Sequence, residues 1–514
     1  MSGDLLADGG ALPPAPPRAR TADTWLARNT ALVASLCIVA FAFLFRLPDY
    51  GNLFVDFDEK LYLLVGDRMA QGELPFVDIW DRKPFGLFFL YFLIRLLGGE
   101  GFLEYQLVAA GFAGLTGVVI YHIARRFAGV LPSVGAACLY LVYMKLFYSA
   151  AGQAETFFNL FMAVAALFAF QALETTSVRR TLWLAAGAML LCGVSLQVKY
   201  TVLPQCLLLG LFFLWRLWKL NVALPRTVAS GAVFVFLGLV PTILVGLFYL
   251  TVGHFEAFFH ANFVSIFERG ALTGGLADFF KSYLMVCLFP PFLAAIVAVI
   301  LRFQQGTLLE PKYALLLLWF AAGFAGFKMV GNIYIHYIVP ATIPLVIILA
   351  PLFGRPRVGL PIFLGVFGFA VYVTHWWEAF DMAAERTAAV ERMTELAAPY
   401  LQDSCLYVYD GPTSVYMTTK SCIPTVYVYP DHLNNDMERE ALGIDTLAEV
   451  RRIMDAKPGV VMWADEPVVP LWNPLTAGHM EARLAADYQL LEAVPLVRRN
   501  IRVYARKELI AAGQ

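Results

Sequence analysis

The sequence predicts an α-helical polytopic membrane protein with about eleven transmembrane helices, one interfacial helix and a C-terminal α/β domain. Apolar residues make up 60% of the 514-residue chain and charged residues only 15%, which is more apolar surface than a soluble domain needs. Long apolar runs recur as far as Trp376, and the pattern then changes to short strand-like and helical segments. The net charge of −1 argues against a nucleic-acid partner.

The first 28 residues are rich in Ala, Pro and Arg. They predict a disordered cytoplasmic arm (1–28), followed by an uncleaved first helix rather than by a removed signal peptide. A transmembrane helix needs about 20 residues to cross the hydrocarbon. Eleven candidate spans follow the arm: 30–47, 102–123, 131–149, 155–173, 181–198, 201–218, 228–252, 282–302, 312–330, 336–353 and 358–376.

Basic residues at the ends of the spans predict the orientation. The apolar run 84–98 is short and contains Arg95. If this run does not cross, the basic groups between the spans all lie on the side of the N-terminal arginines: Arg125/Arg126, Arg179/Arg180, Arg216/Lys219/Arg226, Arg302/Lys312 and Arg355/Arg357. We therefore predict that 84–98 is an interfacial helix. In this inner (plasma) membrane protein the N-terminus is then cytoplasmic, and the loops 48–83 and 253–281 lie outside.

The predicted transmembrane domain (29–376) is followed by a predicted periplasmic or extracellular α/β domain (377–514). After a helix over 381–402, strand-like segments alternate with helices: CLYVYDG, TVYVYP, GVVMWAD, QLLEAVPLV and NIRVYARKEL. Cys405 and Cys422 both lie in this domain, and disulfides persist outside the cytoplasm. The sequence leaves two alternatives for this pair: a disulfide between them, or two free thiols packed in strands. The other cysteines show no metal-ligand spacing.

Charge concentrates in the first predicted outward loop and the helices beside it (48–98). The segment Phe54–Phe85 holds Asp56, Asp58 and Glu59 near its start and Asp78, Asp81, Arg82 and Lys83 near its end. Acidic side chains are costly to hold beside hydrocarbon, so a cluster at a membrane boundary indicates a functional site. The alternative is a solvated loop that happens to be acidic.

Several short motifs occur in a fixed order. Asp58-Glu59-x-x-Tyr62 and Trp80-Asp81-x-Lys83-Pro84 lie in the first loop, Gln153-Ala154-Glu155 opens a span, Val198-Lys199-Tyr200 forms a turn, and His336-Tyr337 opens another span. Their order resembles that of bacterial lipid-linked-sugar glycosyltransferases of the GT-C superfamily, in the group of the protein O-mannosyltransferases, the lipid A aminoarabinose transferase and galacturonosyl transferases. The chain departs from the family pattern where Glu155 replaces the more usual Asp and where Arg82 is an extra residue before the Lys-Pro pair.

The resemblance implies a GT-C fold and a reaction in which a sugar moves from a polyprenyl phosphate to an acceptor, usually with inversion. The expected partners are a polyprenyl-phosphate sugar donor, membrane lipids, and a lipid, glycan or protein acceptor. The resemblance also implies that Asp58 is the general base and that Glu155 is a second acid, which orients the acceptor or holds a metal. On the residues alone, Asp58 could equally be a capping acid and Glu155 an ordinary first-turn acid.

The remaining candidates are expected to bind the substrate. Lys83 and Lys199 would offset the charge of the leaving phosphate, although either could be an interfacial lysine that reaches for water. Glu59 is expected to orient the loop, and Asp81 is expected to orient the cations or bind a metal. Arg82 would share the role of Lys83, and Arg269 is the best anion binder of the second loop. The last candidates are Tyr62, His336 and Tyr337. These last three could instead belong to the interfacial aromatic belt.

A secondary transporter or flippase-like membrane protein is the alternative function. Transporters usually contain an inverted repeat or helices that break at the midplane, and the sequence shows neither. A divalent metal held by Asp58, Glu155 and a histidine is conceivable, but no spacing signature identifies a cofactor.

Overall fold

The computed structural model of the chain describes residues 29–270, 275–329, 331, 334–468 and 471–512. As far as residue 373 these residues are mostly helical. The helices are α1 (Thr30–Phe45), α2 (Phe57–Ala70), α3 (Phe85–Arg95), α4 (Phe102–Ala124), α5 (Val130–Leu146), α6 (Ala154–Leu173), α7 (Val178–Leu196), α8 (Leu203–Lys219), α9 (Leu224–Thr251), α10 (Phe255–Phe259), α11 (Ser265–Glu268), α12 (Gly275–Gln304), α13 (Pro311–Met329), α14 (Val339–Phe353) and α15 (Gly359–Val373). The predicted arm, 1–28, lies outside the described residues.

A helix forms at each of the eleven predicted spans. Seven helices have both the length and the apolar composition to cross a membrane: α4, α6, α9, α12 and α13, and α8 and α14 together with the turns before them. α1, α5 and α15 are apolar but shorter, and α7 carries Arg179 and Arg180 in its first turn. The described residues therefore form a multi-pass membrane protein, and eleven crossings stay a prediction.

The largest difference from the predicted bounds occurs in α12, which begins at Gly275 instead of residue 282. Asp278 and Lys281, on its first turns, form an exposed ion pair with the ammonium nitrogen 3.3 Å from the carboxylate. The helix therefore continues beyond its apolar part into a polar turn, which hydropathy alone does not include.

The predicted interfacial segment, 84–98, contains α3, a helix of 11 residues. At 1.5 Å per residue such a helix is about 17 Å long, roughly half of the hydrocarbon thickness, so α3 is too short to cross by itself. It packs closely along α2, because a Cβ atom at Gly66 would lie 2.6 Å from the carbonyl carbon of Tyr91. Its position in the membrane interface stays a prediction.

The second predicted outward loop, 253–281, is largely helical. α10, a π-helical turn (His260–Val264) and α11 follow one another in it, and α12 begins before the loop was expected to end. Residues 271–274 lie outside the described residues. The amide of Gly270 donates a 2.9 Å hydrogen bond to the carbonyl of Met437 in the C-terminal domain.

The C-terminal domain alternates strands and helices. Its elements are α16 (Ala379–Ala397), β1 (Leu406–Asp410), α17 (Ser414–Thr418), α18 (Pro430–Asn434), α19 (Thr446–Asp455), β2 (Val460–Ala464), α20 (Pro474–Asp487), β3 (Tyr488–Leu496), β4 (Arg499–Arg506) and α21 (Lys507–Ala512). The strand order is β1-β2-β4-β3, with β1 and β2 parallel and the other pairs antiparallel. Every residue of β1 and β2 is buried, as expected of parallel strands covered on both faces.

One of the strand predictions is wrong. The segment TVYVYP (425–430) does not join the sheet, because its backbone and rings contact the first loop instead. The carbonyl of Val426 accepts a 2.8 Å hydrogen bond from the amide of Trp80. The Tyr427 ring packs against the Trp80 indole, with ring centres 5.7 Å apart. The alternating pattern of this segment therefore serves a contact between domains.

Cys405 and Cys422 form a disulfide, so the first of the two alternatives left open by the sequence is the correct one. Cys405 directly precedes β1, and Cys422 lies shortly before the segment that contacts Trp80. The bond therefore ties the edge of the sheet to the part of the domain that lies on the first loop.

Removal of this disulfide should destabilise the C-terminal domain. The two cysteines are separated by 17 residues in sequence, and closing a loop of this size in the unfolded chain is worth about 3 kcal/mol. The double variant Cys405→Ser/Cys422→Ser should therefore unfold at a lower temperature in detergent, followed by circular dichroism. Cys37→Ser removes an exposed free thiol of α1 and serves as the control. Equal unfolding temperatures for the two proteins would contradict the prediction.

Candidate functional site

The N-terminus of α2 places the first acids of the site. The carboxylate of Asp56 caps this helix, with its Oδ1 atom accepting a 3.1 Å hydrogen bond from the amide of Asp58. Asp58 and Tyr62 then lie one turn apart on the same face. The side chain of Asp58 is 18% exposed, whereas Glu59 and Tyr62 are fully buried. An external hydroxyl can therefore reach Asp58 but not Glu59.

Lys83 lies between two carboxylates. Its ammonium nitrogen is 3.9 Å from Oδ2 of Asp58 and 3.9 Å from Oδ1 of Asp81. The backbone amide of Lys83 also donates a 2.8 Å hydrogen bond to Oδ1 of Asp81, which fixes the start of the Lys-Pro turn. The Tyr62 ring lies beneath the ammonium group, with its centre 5.3 Å away. The first-loop motifs thus meet in space at a single lysine.

The protonation states follow from burial and from these charges. Burial favours the neutral form of Asp58, but the positive charges of Lys83, His336 and Lys199 outweigh it and hold the pKa of this carboxyl below its ordinary value. Burial likewise opposes the charge on Lys83, yet Asp58 and Asp81 raise the pKa of the ammonium group. Asp58 is therefore a carboxylate and Lys83 a cation at neutral pH.

Glu155 and Lys199 form a second, buried pair. Glu155 lies in the first turn of α6, and Lys199 lies between α7 and α8, directly before a 3₁₀ turn (Tyr200–Val202). The ammonium nitrogen lies 2.5 Å from Oε1 of Glu155. Among the described residues, the other carboxylate oxygen, Oε2, is buried without a hydrogen-bond partner. Its capacity to accept a hydrogen bond is therefore unused among the contacts described.

The His-Tyr motif completes the cluster. His336 and Tyr337 lie in a 3₁₀ turn (Ile335–Ile338) before α14, with their ring centres 4.7 Å apart. The ammonium nitrogen of Lys199 lies 3.9 Å from the centre of the Tyr337 ring. Asp58, Glu155, Lys83 and Lys199 all lie within Coulombic range of His336. Five motifs from four separate regions of the chain therefore meet at one end of the helix bundle. We call Asp58, Asp81, Lys83, Glu155 and Lys199 the charge cluster.

Glu59 lies behind the charge cluster, against α4. Its Oε2 accepts a 3.1 Å hydrogen bond from the hydroxyl of Tyr105, and the ammonium of Lys60 donates to the same hydroxyl at 2.8 Å. Burial raises the pKa of Glu59 to about 8 and lowers that of Lys60 to about 7. This buried pair ties the first loop to α4. Sequence reasoning missed Lys60, because an isolated lysine after two acids is typical of an exposed position.

Arg82 and Arg269 both bind one carboxylate of the C-terminal domain, that of Glu438. Nη1 of Arg82 donates to Oε1 of Glu438 at 2.9 Å, and its Nη2 contacts Oε2. Nε of Arg269 lies 2.6 Å from Oε1. Although burial favours the protonated acid, Arg269 and Arg82 lower the pKa of Glu438 to about 2. Both guanidinium groups therefore have Glu438 as their partner, whereas the partners of Lys83 are Asp58 and Asp81.

The C-terminal domain supplies further contacts that sequence reasoning missed. The hydroxyl of Tyr429 donates a 3.1 Å hydrogen bond to Oδ1 of Asp58, and Nε2 of His432 lies 3.5 Å from Oδ2 of Asp81. Asp431, between them, is partly buried, and burial raises its pKa to about 7. An available signal was the group of polar residues in YPDHLNNDME, which follows an apolar segment in a domain expected to pack a core.

No family model matches the chain, and no curated protein does. Its structure is similar to two solved structures of ArnT from Cupriavidus metallidurans, one in the apo state and one bound to undecaprenyl phosphate. The TM-scores are 0.63 and 0.60, at 15% sequence identity in both cases. The alignments cover 93% and 95% of this chain, and 98% and 99% of ArnT. The chain has the GT-C fold.

The similarity to a GT-C protein extends over the C-terminal domain as well as the helices, since it covers nearly the whole of both chains. The sequence left open a divalent metal held by Asp58, Glu155 and a histidine. In the described part of the chain, no three His, Cys, Asp or Glu side chains come together in the arrangement of a metal site. Asp58 and Glu155 are each paired with a lysine instead.

Breaking the buried Glu155–Lys199 pair should destabilise the GT-C domain. A charge left alone in a buried site costs about 3–5 kcal/mol, whereas removing both charges costs less than the sum of the single changes. We expect Lys199→Met to lower the unfolding temperature in detergent strongly and Lys199→Met/Glu155→Gln to restore part of it. Lys281→Met breaks the exposed pair with Asp278 and should have little effect. A single variant as stable as the wild type would contradict this expectation.

Proposed function

We propose that the protein is a membrane glycosyltransferase, which moves a sugar from a polyprenyl-phosphate donor to a hydroxyl of an envelope glycolipid, glycan or protein. The observation that carries the proposal is a partly exposed carboxylate, Asp58, that faces an equally exposed lysine, Lys83, at 3.9 Å. The structure of the similar protein ArnT with bound undecaprenyl phosphate supports a polyprenyl-phosphate donor. The site faces the outside of an inner membrane in the predicted topology.

Asp58 is proposed as the general base. As the acceptor hydroxyl attacks the anomeric carbon, its proton passes to the Asp58 carboxylate. The bond between that carbon and the phosphate oxygen breaks on the opposite face, and its electron pair stays on the phosphate, so the configuration inverts. The lowered pKa of Asp58 keeps the carboxylate ionised before attack, and its 18% exposure leaves room for the acceptor.

Lys83 is proposed to stabilise the leaving polyprenyl phosphate. The departing group gains negative charge, and a fixed cation in a site with little water offsets that charge more strongly than solvent does. Lys83 is already oriented by its backbone bond to Asp81. Lys199 and the Tyr337 ring, 3.9 Å apart, form the neighbouring wall, and the unpartnered Oε2 of Glu155 is proposed to orient the acceptor hydroxyl.

The proposed base is tested by Asp58→Asn, which keeps the shape of the side chain and removes its basicity. We expect sugar transfer to fall by about 10²- to 10⁴-fold. The assay uses purified protein, radiolabelled undecaprenyl-phosphate hexose, uronic acid and aminopentose donors, and an envelope glycolipid extract. Asp78→Asn is the matched control, because Asp78 lies in the same loop, is exposed and bonds only to the amide of Leu74 among the contacts described. Transfer at the wild-type rate by Asp58→Asn would exclude Asp58 as the base.

The proposed role of Lys83 concerns binding, so it is tested on undecaprenyl phosphate alone. A charge-assisted contact with a phosphate is worth about 1.5–3 kcal/mol. Lys83→Met should therefore weaken undecaprenyl phosphate binding by about 10- to 100-fold, measured by native mass spectrometry. Lys328→Met removes an exposed lysine at the end of α13 and should bind as the wild type does. Unchanged binding by Lys83→Met would remove this lysine from the phosphate site.

A further inference from the structure

One of the segments by which the C-terminal domain contacts the first loop is residues 426–438, which we call the bridging segment. Its first residue, Val426, accepts a hydrogen bond from the amide of Trp80 at 2.8 Å. The His432 ring packs edge-on against the Trp80 indole, with ring centres 4.8 Å apart. At its far end, Glu438 binds Arg82 and Arg269. The segment is therefore held at both ends over the loop that carries Asp58 and Asp81.

Some side chains of the bridging segment lie in the apolar core, and others contact acids of the first loop. Val428 and Leu433 are buried and belong to the apolar core. Tyr429 and His432, their direct neighbours in sequence, contact acids of the first loop instead. Because a phenol and an imidazole are not needed to fill that core, their contacts with the loop call for a separate explanation.

Each of the two acids beside Lys83 uses its two oxygens in different directions. Oδ2 of Asp58 faces Lys83 while Oδ1 accepts from the hydroxyl of Tyr429. Oδ1 of Asp81 faces Lys83 while Oδ2 lies 3.5 Å from Nε2 of His432. The arrangement is the same on both sides of the lysine. In each case the C-terminal domain holds the oxygen that the lysine does not.

We propose that Tyr429 and His432 are positioning residues, through which the C-terminal domain fixes the carboxylates of Asp58 and Asp81 on either side of Lys83. Tyr429 sets the direction of the proposed base, and His432, through Asp81, sets the position of the proposed phosphate-binding lysine. The proposal rests on the proposed function for its catalytic meaning, whereas the contacts themselves are tested independently of any sugar transfer. The C-terminal domain is then part of the site and not only a cover.

The two contacts have different consequences. A hydrogen bond to a carboxylate favours its ionised form, so loss of the Tyr429 hydroxyl raises the pKa of Asp58. For a bond of about 1.5 kcal/mol the rise is about one unit. The other charged groups that act on Asp58 or lie near it remain in place in such a variant: Lys83, Lys199, His336, Asp56, Asp81 and Asp431. Loss of His432, by contrast, frees Asp81 and affects the binding of an anion by Lys83.

The first experiment measures Asp58 directly. Dicyclohexylcarbodiimide reacts with protonated carboxyl groups, and fragmentation of the labelled peptide separates Asp58 from Asp56. In the full-length protein, we expect Tyr429→Phe to move the midpoint of Asp58 labelling upward by about one pH unit. Tyr504→Phe removes a hydroxyl from a half-buried tyrosine of β4 and should leave the midpoint unchanged. Coincident midpoints for the three proteins would overturn the role of Tyr429.

The second experiment measures undecaprenyl phosphate binding. His432→Ala should weaken it by about tenfold, the effect of about 1.4 kcal/mol, whereas His432→Gln keeps a donor toward Asp81 and should recover most of the affinity. Equal affinity of His432→Ala and wild type would overturn the role of His432, and so would equal loss in His432→Ala and a correctly folded His432→Gln. Folding is checked for each variant by its unfolding temperature and by size-exclusion chromatography.

Turnover separates the inference from the proposed function. If the wild type transfers sugar, Tyr429→Phe should lower kcat by about 10- to 100-fold, because a base misplaced by about 1 Å loses rate on this order, and should leave the donor KM close to the wild-type value. A labelling shift in a protein that transfers none of the sugars would support the positioning contact and count against the glycosyltransferase. Normal turnover by Tyr429→Phe would support the glycosyltransferase and overturn the positioning role.

Discussion

Lys83 is held between two carboxylates at a site with little access to water, and the rest of the site depends on this balance of charge. A charge removed from water is stable only with an opposite charge and further hydrogen bonds close to it. The structure meets this condition repeatedly: Lys199 is paired with Glu155, and Arg82 and Arg269 share Glu438. Each pair joins different elements of the chain. The same contacts that make buried charge tolerable therefore assemble the site.

The need to pair each buried charge explains why the site lies where the helices end. At the middle of a bilayer the charges would have no water and few polar backbone groups, whereas at helix ends the first amides and the loops supply hydrogen bonds. Asp58 begins α2 and Glu155 begins α6, both in the first turn. The positive end of a helix favours an ionised acid at each position. Lys83 and Lys199, in turn, lie in the short connections that lead into α3 and α8.

The parts of the structure that follow local rules could be predicted from the sequence. The helices at the predicted spans follow from apolar runs of sufficient length, and the charge cluster follows from short motifs, each within a few residues. The partners in the C-terminal domain could not be predicted in this way. Tyr429 is 371 residues from Asp58, and Glu438 is 356 residues from Arg82. Such a pairing depends on how two folded domains meet, and the predicted strand at TVYVYP failed for the same reason.

The proposed reaction also agrees with the charge balance of the site. Before transfer, Lys83 faces the ionised Asp58 and a phosphodiester donor carries one negative charge. During transfer, Asp58 gains the proton of the acceptor and becomes neutral, while the leaving polyprenyl phosphate gains a second negative charge. The sum of charges in the site is thus unchanged, and Lys83 exchanges one anionic partner for another close by. Because the cation is already fixed by Asp81, little reorganisation is needed at the moment of transfer, which is the condition under which electrostatic stabilisation is most effective.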